Sequence, residues 1–302
     1  MKMVRIALLP ILLMSITALF SVTGCATDGV GPAEPLPEGI SQQDLEEILN
    51  DATTNYALLD TCKFDIDMDI STEIIGGSTP GEMTMYSRIS GGMNKSSQQI
   101  QMNMDMSVEG TGLGSQNVYA EMYIFPDWTY MKMEVPGMGE QWVKMETTED
   151  LAAALNTEAV DQQIGMLDSP LEVTYLRSES VDGLDCYVLS ITPNVGELTD
   201  WIDQQNTGVD DIDWDEFLDV YSIFTKFSYI CYVVKDTRIM KKLVLEMEME
   251  YTSEQMGDYY ADFDTQTMYI YMNMNIYDHN EPFSVTLPDE AENAEEMPAY
   301  MM

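Results

Sequence analysis

The chain has 302 residues, with 53 Asp and Glu against 13 Lys and Arg, one His, and a formal net charge of −40. That charge repels phosphate backbones and excludes nucleic-acid binding through a basic surface. His279 alone cannot build a multi-His metal site and leaves little material for a Ser-His-Asp triad, while 45% hydrophobic content is that of a folded chain.

Lys2 and Arg5 precede an apolar run over residues 6–20 (IALLPILLMSITALF). The run is shorter than the roughly 20 residues of a membrane span and reads as a secretory signal. Val22-Thr23-Gly24-Cys25 follows, and a small residue before Cys at this place resembles a bacterial lipobox. The resemblance implies cleavage before Cys25 and diacylglycerol on its thiol, so the expected partner is a membrane held through an acyl anchor at Cys25. The other reading is an ordinary signal peptide with a chance cysteine. Residues 26–40 (ATDGVGPAEPLPEGI) have the Pro/Gly-rich composition of an extended tether.

A helix is predicted from Ser41. Ser41 and Asp44 have capping-box spacing, Ile40 and Leu45 occupy staple positions, and Leu45, Ile48, Leu49, Ala52, Tyr56 and Leu59 repeat at a 3.6-residue period. From Cys62 the period becomes two. Phe64, Ile66, Met68 and Ile70 alternate with acids; Ile100, Met102, Met104 and Met106 alternate with Gln101, Asn103 and Asp105. Leu245, Met247 and Met249 alternate with glutamates, and Met268, Ile270, Met272, Met274 and Ile276 with tyrosines and asparagines. Such alternation predicts antiparallel strands with one dry and one wet face. About eleven are expected, near 62–75, 81–92, 95–108, 116–126, 128–135, 141–145, 170–181, 183–193, 222–235, 238–256 and 262–278. Prolines at run boundaries support these limits. Residues 147–167 and 196–224 read as helical insertions, and 289–302 as an acidic, unpatterned tail.

Three cysteines follow Cys25 in an oxidising compartment. Sequence does not fix cysteine connectivity: a Cys186–Cys231 bridge is one reading if their strands are neighbours, and three small buried side chains is the other. The acid runs Asp65-x-Asp67-x-Asp69 and Asp211-x-Asp213-x-Asp215 begin like calcium loops. They place Ile70 or Glu216 where Gly is required and Gly76 or Ser222 where Glu is required, so no metal site is predicted. Methionine thioethers suit Cu(I), but alternate strand positions do not converge three sulfurs on one ion, and there is no His-Met cluster. Gly110, Gly112 and Gly114 lack a following helix and read as a hairpin. The acid/base inventory is all carboxylates, so a non-catalytic protein without cofactor is expected.

A capped helix, a long antiparallel meander with helical insertions and a lipobox together resemble the lipoprotein-carrier superfamily of LolA, LolB, LppX and LprG. Local matches are Gly183-Leu184-Asp185-Cys186-Tyr187-Val188-Leu189, the hairpin from Tyr232 to Lys242, and the closing Asn280-Glu281-Pro282-Phe283-Ser284-Val285-Thr286-Leu287-Pro288. The resemblance implies a mainly β fold with α elements: an eleven-stranded curved antiparallel half-barrel packed on an N-terminal helix and insert helices. The division expected is 1–24 signal peptide, 25–40 lipidated Cys and tether, 41–288 half-barrel, and 289–302 tail. The function implied is an envelope lipoprotein binding a lipophilic ligand on its concave apolar face. Ile66, Met68, Met102, Met104, Met247, Met249, Ile270 and Met272 are the candidate lining. Trp201 and Trp214 are candidate rim groups. The competing reading is an envelope structural or protein-interaction module whose core is filled.

Overall fold

The structure, a computed structural model, describes residues 33–77, 80–112, 114–135, 139–147, 171–193, 224–253 and 263–296. Its first regular element is helix α1, Gln42–Ala57. Ser41 caps it as the spacing predicts. The Asp44 amide donates to the Ser41 hydroxyl, while the Ser41 amide and hydroxyl each donate to the Asp44 carboxylate at 2.6 Å. Those bonds hold the Asp44 carboxyl below its ordinary range. At the other end, Lys95 Nζ donates to the carbonyls of Tyr56 and Ala57, satisfying acceptors that a helix terminus leaves open.

Eleven long strands follow: β1 Thr61–Ile75, β2 Gly81–Asn94, β3 Gln99–Gly110, β4 Gly114–Ile124, β5 Trp128–Val135, β6 Gly139–Glu146, β7 Leu171–Val181, β8 Leu184–Pro193, β9 Phe224–Val234, β10 Met240–Thr252 and β11 Thr265–Tyr277. A two-residue β12, Glu295–Glu296, completes one sheet in the order β12-β6-β5-β4-β3-β2-β1-β11-β10-β9-β8-β7. Every long strand pairs antiparallel, and β12 joins β6 in parallel. The sheet is curved and does not close, which is the half-barrel architecture expected.

The C-terminal segment reaches back to form β12. Phe283 lies over Gly92 on the outer face, where a Cβ would stand 2.7 Å from its ring, and Asn94 Nδ2 holds its carbonyl. Residues Asp289–Asn293 form a 3-10 turn with Ala291 fully buried. The tail expected from residue 289 is therefore part of the folded unit as far as Glu296. The helices predicted over 147–167 and 196–224 lie outside the described residues apart from their end residues.

The Cys186–Cys231 bridge is not formed. Cys62, Cys186 and Cys231 are all buried free thiols. Cys186 and Cys231 do occupy neighbouring strands, but Cys231 pairs with Leu189 and Cys186 with Val234. That offset of an odd number of residues puts the two thiols on opposite faces. Cys231 joins the main core, whereas Cys186 belongs to a second apolar cluster with Leu176, Val188, Tyr232 and Val234. Burial pushes the Cys231 thiol up to about 12 and the Cys62 thiol up to about 11.

Candidate ligand-binding face

Pairing registers collect alternate residues into rows that cross the strands. One row runs Ala120, Met104, Ile89, Ile66, Met274, Leu243, Cys231 and Leu189. The next carries Met106, Ser87, Met68, Met272, Leu245 and Tyr229. A third contains Val108, Met85, Ile70, Ile270 and Met247. All eight candidate lining residues therefore share one face. Met68 stands directly opposite Met272, and Met247 opposite Ile270.

The face is not uniform. Helix α1 puts Leu45, Ile48, Leu49 and Ala52 into the same core and makes its main contacts with β7, β9 and β10. Gln42 Nε2 donates to the Val173 carbonyl and Asn55 Nδ2 to those of Thr237 and Arg238, which sets the helix along that half of the sheet. Met102, Met104, Met106, Met122 and Met131 belong to the other half and pack into the same core. Between them Gly91 leaves room for the Phe64 ring and Met102; a Cβ there would also meet the Gln101 carbonyl oxygen. Burial falls away along the strands. Ile66, Met68, Met102, Met104 and Met272 are buried, whereas Ile70, Val108, Met247, Met249 and Ile270 are only half-buried. The half-buried residues mark the sheet end that carries the β1–β2 and β3–β4 turns and the β10–β11 connection. Met85, Val108 and Ile70 complete this row although the eight candidates omit them; the alternation around Ile70 was the available signal.

The opposite face carries the second apolar cluster across β7–β9 and is wet and laced by charge over the rest of the sheet. Tyr86 and Arg88 both donate to Asp67, and Lys226 and Tyr269 both donate to Glu246. Lys132 lies between Glu121 and Glu140. Desolvation, reinforced by Glu246, pushes the Tyr269 phenol up to about 12. Among the described residues no group of three His, Cys, Asp or Glu is placed to hold a metal ion, and no helix is long and apolar enough to cross a membrane. Cys25, Trp201 and Trp214 lie outside the described residues.

An unclosed, largely antiparallel sheet with a capped helix on its apolar face defines a half-barrel protein. The chain belongs to the family described as a family of unknown function, DUF6612, which matches residues 44–296. No curated protein matches its sequence. Among solved structures it is similar to LprF from Mycobacterium bovis, with 11% identity over 83% of this chain and 99% of that one, at a TM-score of 0.45. The lipoprotein LppX from Mycobacterium tuberculosis has 10% identity over 82% and 100%, with a TM-score of 0.38. A domain described as an outer membrane lipoprotein-sorting protein, from Vibrio parahaemolyticus, has 9% identity over 84% and 97%, with a TM-score of 0.25.

Proposed function

We propose that this protein is a non-catalytic envelope lipoprotein, anchored through acyl chains on Cys25, that binds a lipophilic ligand on the apolar face of its half-barrel. The observation that carries this reading is the third row. Val108, Met85, Ile70, Ile270 and Met247 cross five strands without a polar side chain, and four of the five are only half-buried. An apolar band that stays partly accessible is what an acyl chain needs as an entrance, and the buried methionines behind it can change rotamer around chains of different shape. Charged groups on the other face keep that surface in water. Trp201 and Trp214 remain the proposed rim groups.

A second reading, an envelope interaction module with a filled core, is favoured by the depth of burial behind the band. Ile66 and Ile89 are 0% exposed and Met131 is 1% exposed, which is the packing of a solid core. A fluorescent fatty-acyl probe separates the two. The first reading expects saturable binding, weakened by Met104→Trp at preserved circular dichroism. Absence of binding, together with no co-purifying lipid, supports the filled core.

A further inference from the structure

The few cations of this acidic chain are unevenly placed. Residues 235–242, which form the β9–β10 turn and enter β10, hold Lys235, Arg238, Lys241 and Lys242 against one acid, Asp236. Lys241 pairs with Asp182 at 2.9 Å. The other three have no carboxylate within ion-pair distance among the described residues and lie over tyrosine rings: Lys235 and Arg238 over Tyr187, Lys242 over Tyr232. With so many carboxylates available, leaving three cations without one in a single hairpin is not a default outcome of packing. Asp182, Asp185, Asp278 and Glu281 are exposed at this end as well, so what sets it apart is its unpaired cations. Toward the opposite end Glu73, Glu82, Glu109, Glu250 and Asp264 are exposed, and Lys132 and Lys226 both have carboxylate partners.

The N-terminal segment bears on the same end. Gln42 contacts the Val173 carbonyl, and eight residues earlier the Glu34 amide donates to the Leu176 carbonyl at 2.7 Å. Followed backwards from the helix, the chain thus advances along β7 toward its junction with β8, which neighbours the basic turn through the Lys235 amide and the Asp185 carbonyl. The segment from Cys25 to Glu34 spans at most about 30 Å when extended, enough to carry an anchor past that end of the sheet.

We propose that the β9–β10 turn docks on anionic phospholipid headgroups of the membrane that holds Cys25, fixing the half-barrel upright with its basic end down. This rests on the lipid-anchor reading. The anchor supplies attachment and the unpaired cations supply orientation, because a negative surface attracts Lys235, Arg238 and Lys242 and repels the far end, whose cations are already neutralised by carboxylates. Strand β10 runs from Met240 to Thr252, about 40 Å at the usual rise, so the half-buried apolar band stands well above the headgroups. Ligand then reaches the band from the side away from the membrane.

The test uses the lipidated mature chain in phosphatidylcholine vesicles, with or without a quarter of the lipid replaced by phosphatidylglycerol. A fluorophore is placed at Thr237→Cys in the basic turn or at Ser115→Cys at the other end; both sites are exposed, and the three remaining cysteines are buried. A quencher attached to the headgroups should quench the Thr237 label severalfold more than the Ser115 label, only with phosphatidylglycerol present. Lys235→Glu with Lys242→Glu should abolish the difference while the chain stays on the vesicles. Raising salt from about 0.1 M to about 1 M, which shortens the screening length from about 10 Å to about 3 Å, should do the same to the unmutated turn. Equal quenching of the labels, or indifference to phosphatidylglycerol and to salt, overturns the orientation. A response of the Thr237 label to an acidic polypeptide but not to phosphatidylglycerol also overturns it, reassigning the turn to a protein partner. A chain that carries no acyl group and leaves the vesicles overturns the anchor, and the orientation with it.

Discussion

Replacing Met104 by Asp puts the two faces of the sheet in direct opposition. Met104 is 5% exposed, opposite Ile89 on β2 and Ala120 on β4. Removing a buried methionine side chain costs about 2–5 kcal/mol through lost transfer energy and the space left behind. The new carboxyl adds a second penalty. Its unfolded pKa is about 3.9, so holding it neutral in the fold at pH 7 costs about 4 kcal/mol, at 1.36 kcal/mol per unit. The sum rivals the roughly 5–15 kcal/mol by which a domain is stable, so the variant should be largely unfolded at neutral pH. The sign with pH follows from the raised folded-state pKa. The folded form binds the proton more tightly, so the second penalty is absent below about pH 3.9 and grows as pH rises toward the folded pKa. Asp105→Asn, one residue away on the wet face, should stay within about 0.5 kcal/mol. Urea unfolding followed by circular dichroism at several pH values measures both. Equal effects of the two substitutions, or a Met104→Asp penalty independent of pH, would refute the assignment of faces and registers.

Cys25→Ser should leave the precursor uncleaved before residue 25 and free of radiolabelled acyl chains; normal processing and membrane retention would remove the anchor. Cys62, Cys186 and Cys231 should resist iodoacetamide in the folded protein even near pH 9, because burial raises the thiols, and all three should alkylate in denaturant without reductant. A disulfide found by non-reducing peptide mapping would contradict the opposite-face placement. Gly91→Ala should lower stability by about 1–3 kcal/mol in the same urea assay, since the added carbon meets a backbone carbonyl and the Phe64 ring. A neutral result would mean that β2 and β3 can separate there.

Alternation made most of the sheet legible before any coordinates. The strand expected over 128–135 is the observed β5, Trp128–Val135, and the other long strands differ by a few residues at their ends. Period two also puts all eight candidate residues on one face, as the registers do. It works because β1, β3 and β10 alternate apolar with acidic or amide side chains and β11 with tyrosines and asparagines, so a shift by one would bury polar groups. Where both faces are apolar the signal vanishes. Cys186-Tyr187-Val188-Leu189 is a continuous apolar run, and nothing in it says that Cys186 faces away from Cys231. The irregularity between Tyr175 and Arg177 adds to this: Leu176 faces outward by alternation, and the shift puts Arg177 beside it on the same side, against Val188 and Tyr232. Strand β12 was invisible for the opposite reason: Glu295 and Glu296 are polar on both sides, and only pairing with Val143 and Lys144 makes them a strand. The depth gradient along the face comes from tertiary placement of the helix and sheet ends, which no local pattern encodes.

Native mass spectrometry of the soluble domain, expressed without its anchor and purified without detergent, asks whether the apolar face holds a lipophilic ligand. Bound species at lipid masses are expected, released by solvent extraction and reduced by Met104→Trp in a folded variant. A spectrum showing only the polypeptide mass, unchanged after incubation with a fatty-acyl ligand, would contradict ligand binding at that face.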